Sequence, residues 1–282
     1  MAVLAIQSHV AYGRVGNAVA VFALERLGID VWPVPTTLLG CHPGLGAPHG
    51  VRLTAKAVEA QIEGLAGAGA LAGCQAVLSG YLGLAATAGV VARAVARAKA
   101  VRPDALYLCD PVIGDAETGA YVAEDVIRAI RRTLVPVADV MVPNAFELAT
   151  LAGLPVGSIA EARVAARKLS RGGPAVVVAT GVPDGPDGIA ALAATAAGAH
   201  AVRTPRLRFA HRPDGAGDLF AALLLGHRLN ERDWPQALSL AASATFAVLA
   251  HAAATGARIL PTVAAQSELA APARVFAAER IG

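Results

Sequence analysis

The chain has 282 residues, of which 55% are apolar and 16% charged, so it can bury a large core and is not a disordered segment. Its net charge of +3 is spread over stretches such as "RAIRR" and "RTPRLRF", and aromatic residues make up only 4%, so neither a nucleic-acid footprint nor a row of base-stacking platforms is present. Cys41, Cys74 and Cys109 lie far apart and form no CxxC pair, which excludes a zinc knuckle and a disulfide framework and fits reduced thiols in a cytoplasmic protein.

The opening "MAVLAIQSHVAYGR" has no basic leader, and its apolar run is short for a signal peptide. A strand is expected at "VLAIQ" from Val3, followed by a helix over about Gly16 to Leu27, where Val19, Phe22, Ala23 and Leu27 keep helical spacing. "DVWPV" from Asp30 reads as a second strand, and the glycine- and proline-rich "LLGCHPGLGAPHG" as a loop. A helix over about Thr54 to Leu65 precedes the strand "QAVLSGY", an alanine-rich helix ending near Val101, and the strand "ALYLCDP". The helix "AEDVIRAIRRTL", the strand "ADVMVPN" and the helical "AFELATLAG" and "SIAEARVAARKLSR" follow. Strands are then expected at "PAVVVAT", "GIAALAAT" and "GAHAVRT", and two helices close the last third. The most membrane-like of these, "LSLAASATFAVLAHAAATG" from Leu238, is interrupted by Ser239, Ser243, Thr245 and His251 and reads as a buried helix, so no membrane is expected as a partner.

Strands alternating with helices, several of them unbroken apolar runs, indicate an α/β fold with a mainly parallel central sheet and helices on both faces. No linker divides residues 1–282, so a single domain is expected. In such sheets ligands bind beyond the carboxyl ends of the strands. The polar residues at those ends are Ser8, Tyr81, Asp110, Asn144 and Thr180.

No GxxxxGK[ST] sequence is present, and the early "YGRVGN" lacks the GxGxxG fingerprint. "DGAGD" carries more information. The small residues Gly215, Ala216 and Gly217 let backbone N–H groups approach an anion, and the helix that follows adds its dipole at the same point. Such a turn suits the spread negative charge of a phosphoryl transfer, with Asp218 placed to accept a proton from a hydroxyl. Alone, the motif reads as readily as an ordinary helix start with Asp214 as cap. "PNAFEL" breaks the tie, because Asn144 and Glu147, three apart on one helix face, can aim two oxygen-bearing side chains at magnesium waters while Asp110 approaches from the adjacent strand end.

Together "DGAGD", "PNAFE" and "CDPVIGD" resemble the ribokinase superfamily, and "AIQSHVAYGRVGN", "LSGYLG" and "GAGDLFAALLL" narrow the resemblance to pyridoxal kinases. It extends from about residue 3 to the helix that begins near Trp234. The resemblance implies a ribokinase-like fold and ATP-dependent phosphorylation of the 5′-hydroxymethyl group of pyridoxal or a related B6 vitamer, with magnesium, room for a monovalent cation, and a homodimer. By similarity, Asp218 is the base and Gly215, Ala216 and Gly217 form the anion hole. Ser8, His42 and Tyr81 meet the substrate. Asp110 and Glu147 organise magnesium and phosphate, with Asn144 in the same network. Thr180, Thr204, Pro205, Arg206 and Leu207 lie along ATP, and the loop carrying Asp115 and Tyr121 covers the site.

Two departures stand out: "CHPG" replaces the Asn-His-Thr of many members, and "ATG" stands where some have a lysine after the sixth strand. The alternatives are a hydroxymethylpyrimidine or other small-alcohol kinase of the same fold, and a noncatalytic binder of vitamer or nucleotide.

Overall fold

The computed structural model describes all 282 residues. In chain order the main elements are β1 (Ala2–Tyr12), α1 (Asn17–Arg26), β2 (Asp30–Cys41), β3 (Gly50–Arg52), α2 (Ala55–Gly67), β4 (Cys74–Ser79), α3 (Thr87–Val101), β5 (Leu106–Cys109), β6 (Gly114–Asp115), β7 (Gly119–Ala120) and α4 (Glu124–Ala129). They continue with β8 (Val140–Met141), α5 (Ala145–Ala152), α6 (Ile159–Ser170), β9 (Val176–Pro183), β10 (Gly188–Thr195), β11 (Gly198–Pro205), α7 (Ala216–Leu229), α8 (Trp234–Thr255), α9 (Gln266–Ala270) and β12 (Ala278–Ile281).

One sheet of 10 strands has the order β12-β11-β10-β9-β8-β5-β4-β1-β2-β3. Its inner strands from β2 to β9 pair in parallel, while β3 at one edge and β10 to β12 at the other are antiparallel. Successive side chains of a strand point to opposite faces, and both faces are apolar here. Leu4, Ile6, Val77, Tyr107, Met141 and Val177 enter a core shared with α2 to α6. Val3, Leu78, Leu108, Val140 and Val178 enter another shared with α1, α7, α8 and α9. That two-sided demand is why the inner strands read as continuous apolar runs.

Several boundaries differ from the sequence reading. Leu38 to Cys41, assigned to a loop, extends β2, and Gly50–Arg52 adds the edge strand β3. Pro33 and Pro35 do not stop β2, which pairs with β1 from Asp30 to Cys41. Likewise β1 runs past Ser8 to Tyr12, with a register shift between Gln7 and His9, so Ser8 sits at a bulge rather than a strand end. Thr180 is also internal: β9 continues to Pro183, and pairing with β10 shifts between Ala179 and Val182. A bulge re-aims a side chain without ending the strand, and bulges gather beside active sites.

The membrane-like segment is α8, which packs on α7 and on the β10–β11–β12 side of the sheet, with Ala237, Leu238, Ala241, Ala244 and Val248 fully buried. It meets the length and hydropathy of a span, yet it is a core helix. Helix α7 is buried continuously from Leu219 to His227. Each fully buried leucine there contributes roughly 1.5–3 kcal/mol relative to exposure, so the turn before it rests on a rigid base.

Candidate active site

Helix α7 begins at Gly215, whose φ of 94° is left-handed. A Cβ at this position would strike the Arg14 carbonyl, so both the backbone angle and the close approach require glycine. No side chain caps this helix end. The first intrahelical bond runs from the Leu219 N–H to the Gly215 carbonyl, 2.9 Å, so the N–H groups of Ala216, Gly217 and Asp218 have no intrahelical acceptor. Asp214, the cap suggested by sequence, is otherwise engaged: its Oδ2 lies 2.9 Å from Nδ1 of His42. The helix end is thus left open to an external anion.

Gly217 is exposed, and a methyl built on it would meet only Asp110 Oδ2, at 4.0 Å. Its missing side chain leaves space between the helix end and a carboxylate from a different strand. Asp110 follows β5 directly and is 6% exposed; its backbone carbonyl accepts from the Val112 N–H at 3.0 Å, while its carboxylate accepts no hydrogen bond from the protein. Burial pushes its pKa well above the ordinary value, and the neighbouring carboxylates of Glu147 and Asp218 push it the same way.

Glu147 is 3% exposed. Its Oε1 accepts from the N–H of Ile113 at 2.8 Å and of Gly114 at 3.4 Å, and its Oε2 from the N–H of Asn144 at 2.9 Å. Asn144 caps α5 in return, with Oδ1 accepting from the Glu147 N–H at 3.0 Å and Nδ2 donating to the Gly114 carbonyl at 2.7 Å. "PNAFE" is therefore a capping box that also ties down the β6–β7 hairpin. Sequence reading aimed the Asn144 side chain at metal waters; the structure commits its polar atoms to backbone groups, which makes it a positioning residue. Asn144→Ala is expected to lower the unfolding free energy by about 1–2 kcal/mol in urea titrations, since a cap and the hairpin tether are lost together.

Burial raises Glu147 to about 7 against its three N–H donors, with Asp218 adding to the rise. Burial likewise raises Asp218 to about 6, and Asp214 adds to it, while the Gly16 N–H and His42 oppose it. The glycines of "YGRVGN", set aside as a weak dinucleotide signal, have a local purpose here. Gly16, at a left-handed φ of 54°, backs onto the Ser8 carbonyl and turns its N–H toward Asp218.

These shifts have a defined sign. Carboxylates raised to about 6 and about 7 hold protons in the folded chain that the unfolded chain releases. Their contribution to stability is complete below the unfolded carboxylate values and is lost as pH rises through those folded values. Without divalent cations, the melting temperature is expected to fall between about pH 5 and about pH 8, and magnesium is expected to restore it more at the upper pH than at the lower. Calorimetry at both pH values checks this.

The residues named from sequence fall into two groups. Asp115 lies in β6, where its Oδ1 accepts from the N–H groups of Glu117 and Thr118 at 2.8 and 2.7 Å. Burial works against its ionisation, but those donors and Arg212 hold it below the ordinary value. Tyr121 follows β7 and is 53% exposed; partial burial of its hydroxyl, and then the carboxylates of Glu147, Asp110, Asp218 and Asp115, raise it above the ordinary value. His42 joins the same end of the molecule through Asp214. Pro43, which replaces a hydroxyl-bearing residue, opens a short 3₁₀ turn capped by His42, a position where a missing N–H costs nothing.

Thr180 bridges to Asn144, with its N–H on the Pro143 carbonyl at 2.9 Å. Thr204 pairs with Ile189, and Ile189 with Pro183, so the end of β11 lies at the same sheet edge as the end of β9. Pro205 and Arg206 are exposed there, and Leu207 is half-buried. Tyr81, two residues past β4, is half-buried, and its carbonyl accepts from Thr36 Oγ1 at 2.6 Å. The N–H groups of Gly16, Ile113 and Gly114 were missed from sequence, because backbone donors leave no residue-type signature, and Asp214 was read there only as a helix cap.

A family model described as phosphomethylpyrimidine kinase matches residues 45–263. A pyridoxal kinase PdxY from Rubrobacter xylanophilus is 44% identical over 99% of this chain and 97% of its own length. Another from Corynebacterium diphtheriae is 41% identical over the whole of both chains. The chain belongs to the pyridoxal kinase family. Among solved structures, the pyridoxal kinase of Leishmania donovani in complex with ADP and pyridoxamine superposes with a TM-score of 0.93 at 29% identity, covering 100% of this chain and 99% of that one. A putative phosphomethylpyrimidine kinase from Bacteroides thetaiotaomicron, in a crystal form with pyridoxal, gives 0.88 at 26% identity over 99% of each chain. The family's ribokinase-like fold is thus the fold of this chain, and its open helix end and carboxylate group occupy the strand-end edge where α/β folds bind ligands.

Proposed function

We propose that this kinase transfers the γ-phosphoryl group of ATP to the 5′-hydroxyl of pyridoxal or a related B6 vitamer, giving pyridoxal 5′-phosphate. The observation that carries this reading is the uncapped start of α7, with free N–H groups at Ala216, Gly217 and Asp218, set against the buried Asp110 and Glu147. The N–H groups receive the negative charge that develops on the transferring group. Asp218, on the same turn, accepts the hydroxyl proton as the new bond forms, and a carboxylate raised to about 6 is a better base than an ordinary one while still ionised at neutral pH.

The carboxylates of Asp110, Glu147 and Asp218 repel one another, opposed at Asp218 by His42, and their hard oxygens suit a divalent ion. No three metal-binding side chains form a cage of their own, and magnesium in kinases is held by one or two carboxylates together with substrate phosphates. Asp110 would hold magnesium directly, with Glu147 behind it, and the ion would neutralise charge on the phosphates. Ser8, His42 and Tyr81 would orient the ring, Thr180 and Thr204 to Leu207 would line the nucleotide, and Asp115 and Tyr121 would cover the site. We further read residues 1–282 as a single kinase domain, on the support of one sheet that includes both β1 and β12, and the protein as a cytoplasmic homodimer on family resemblance.

A second reading, phosphorylation of hydroxymethylpyrimidine, draws on the name of the matching family model. Assaying ADP release with pyridoxal, pyridoxine, pyridoxamine and hydroxymethylpyrimidine separates the two. The expected result is magnesium-dependent turnover with the highest kcat/KM on a B6 vitamer. A preference for the pyrimidine would replace the first reading with the second, and binding without turnover would leave only a binder.

A further inference from the structure

On the helical side remote from the sheet edge, the C-terminal ends of α1 and α7 and the segment after α9 enclose an open groove of about 480 Å³. Arg26, Leu27, His227, Arg232, Leu240 and Val275 line it. His227 is 4% exposed, and its Nε2 has no hydrogen-bond partner. A buried polar atom left unpaired is costly and calls for an explanation. The groove beside it is basic, since Arg26 and Arg232 are both exposed and neither makes an ion pair.

The ordinary task of basic residues at helix C-termini is to satisfy the last carbonyl groups. Here that task is done by other groups. The Asn230 amide donates to the Leu27 carbonyl at 3.1 Å, the Arg232 N–H to the His227 carbonyl at 3.1 Å, and the Arg228 guanidinium to the Arg232 carbonyl. With these carbonyls capped, the negative helix ends are blunted, and the guanidiniums of Arg26 and Arg232 remain without an assigned partner. Burial, with Arg232 adding to it, lowers His227 to about 4, so at neutral pH its ring is uncharged and carries a single N–H, which serves as a donor to an anion in the tautomer with Nε2 protonated.

We infer that this groove is a second ligand site that takes a phosphate monoester, with the anion between Arg26, Arg232 and His227 and the apolar portion of the ester on Leu27, Leu240 and Val275. Guanidinium groups suit phosphate because they present planar pairs of donors, and phosphate has enough acceptor oxygens for two guanidiniums and an imidazole, more than a carboxylate supplies. None of these residues belongs to the catalytic machinery, so the site stands independently of the proposed reaction.

The test is calorimetric titration of the full chain with its active site filled by ADP and pyridoxal, using inorganic phosphate, phenyl phosphate and benzoate as probes. One equivalent of inorganic phosphate is expected to bind, with phenyl phosphate tighter and benzoate weaker. The double variant Arg26→Ala/Arg232→Ala, which alters only exposed side chains, is expected to weaken phosphate at least about tenfold while leaving kcat unchanged. No binding, or binding that the double variant leaves intact, overturns the site. Benzoate binding as tightly as phosphate would make it a carboxylate site, and equal affinity for the two phosphates would remove the apolar contact.

Discussion

Replacing Asp218 by asparagine is expected to lower kcat roughly 10²- to 10⁴-fold, the usual worth of a positioned general base. The nucleotide Kd, measured by calorimetry, should change by less than about threefold, because the shape and the free N–H groups are retained. A side effect separates this loss from misfolding. The Asp218 carboxylate is ionised at a cost, as its rise to about 6 records, so the neutral amide should leave the cation-free protein as stable as the parent or more so. The acid limb of kcat/KM, which reports the free enzyme, should follow the same group, with activity lost as pH falls through about 6. Near-normal turnover in the variant would remove Asp218 from the chemistry.

Gly217→Val is expected to lower kcat/KM by about 10²- to 10³-fold, the scale on which removal of one oxyanion donor acts. The structural reason is specific to this glycine. Gly215 has a left-handed φ and its Cβ would strike backbone, so substitution there disturbs folding as well as binding. Gly217 has neither constraint: its φ is not positive, and its Cβ would point into open space beside Asp110. Valine at this position should therefore leave the melting temperature within a few degrees of the parent while filling the space reserved for a phosphoryl group. Unchanged kinetics would mean that the reacting phosphate does not pass between Gly217 and Asp110.

The two variants together show how much of the site was legible in the residues. The parallel sheet and the order of its helices followed from apolar periodicity, because two-sided burial leaves a plain record in strands such as "AVLS" and "VVVAT". Asp110, Glu147 and Asp218 were found because the strand-end rule brings three carboxylates to one edge, although each alone is an ordinary residue for a turn or a first helical turn. What sequence could not supply was the partner of each polar atom. Asn144 and Glu147, three apart on one helix face, satisfy a shared metal and a capping box equally well, and only the positions of Ile113 and Gly114 decide between them. Ser8 and Thr180 were placed at strand ends because their strands cease to look apolar there. The bulges that carry β1 and β9 past them arise from pairing with neighbours distant in sequence. The hairpin β6–β7 and the edge strands β3 and β12 are two to four residues long, too short for periodicity to register.

His42 shows the same limit. Its Nδ1 lies 2.9 Å from Asp214 and 3.2 Å from the Gly44 N–H, so one nitrogen faces an acceptor and a donor. It donates to Asp214 when Nδ1 carries the proton and accepts from Gly44 when it does not. Either state fixes the loop beside the start of α7. The Pro43 that follows opens the 3₁₀ turn that His42 caps.

The most direct test of the central claim is to incubate the protein with magnesium, ATP and pyridoxal and to read the product by phosphorus NMR. The account predicts a phosphate monoester resonance split by the two protons of the 5′-methylene group, appearing in step with ADP and absent in Asp218→Asn. ADP formation without that resonance, or a phosphate ester on any other oxygen, would contradict it.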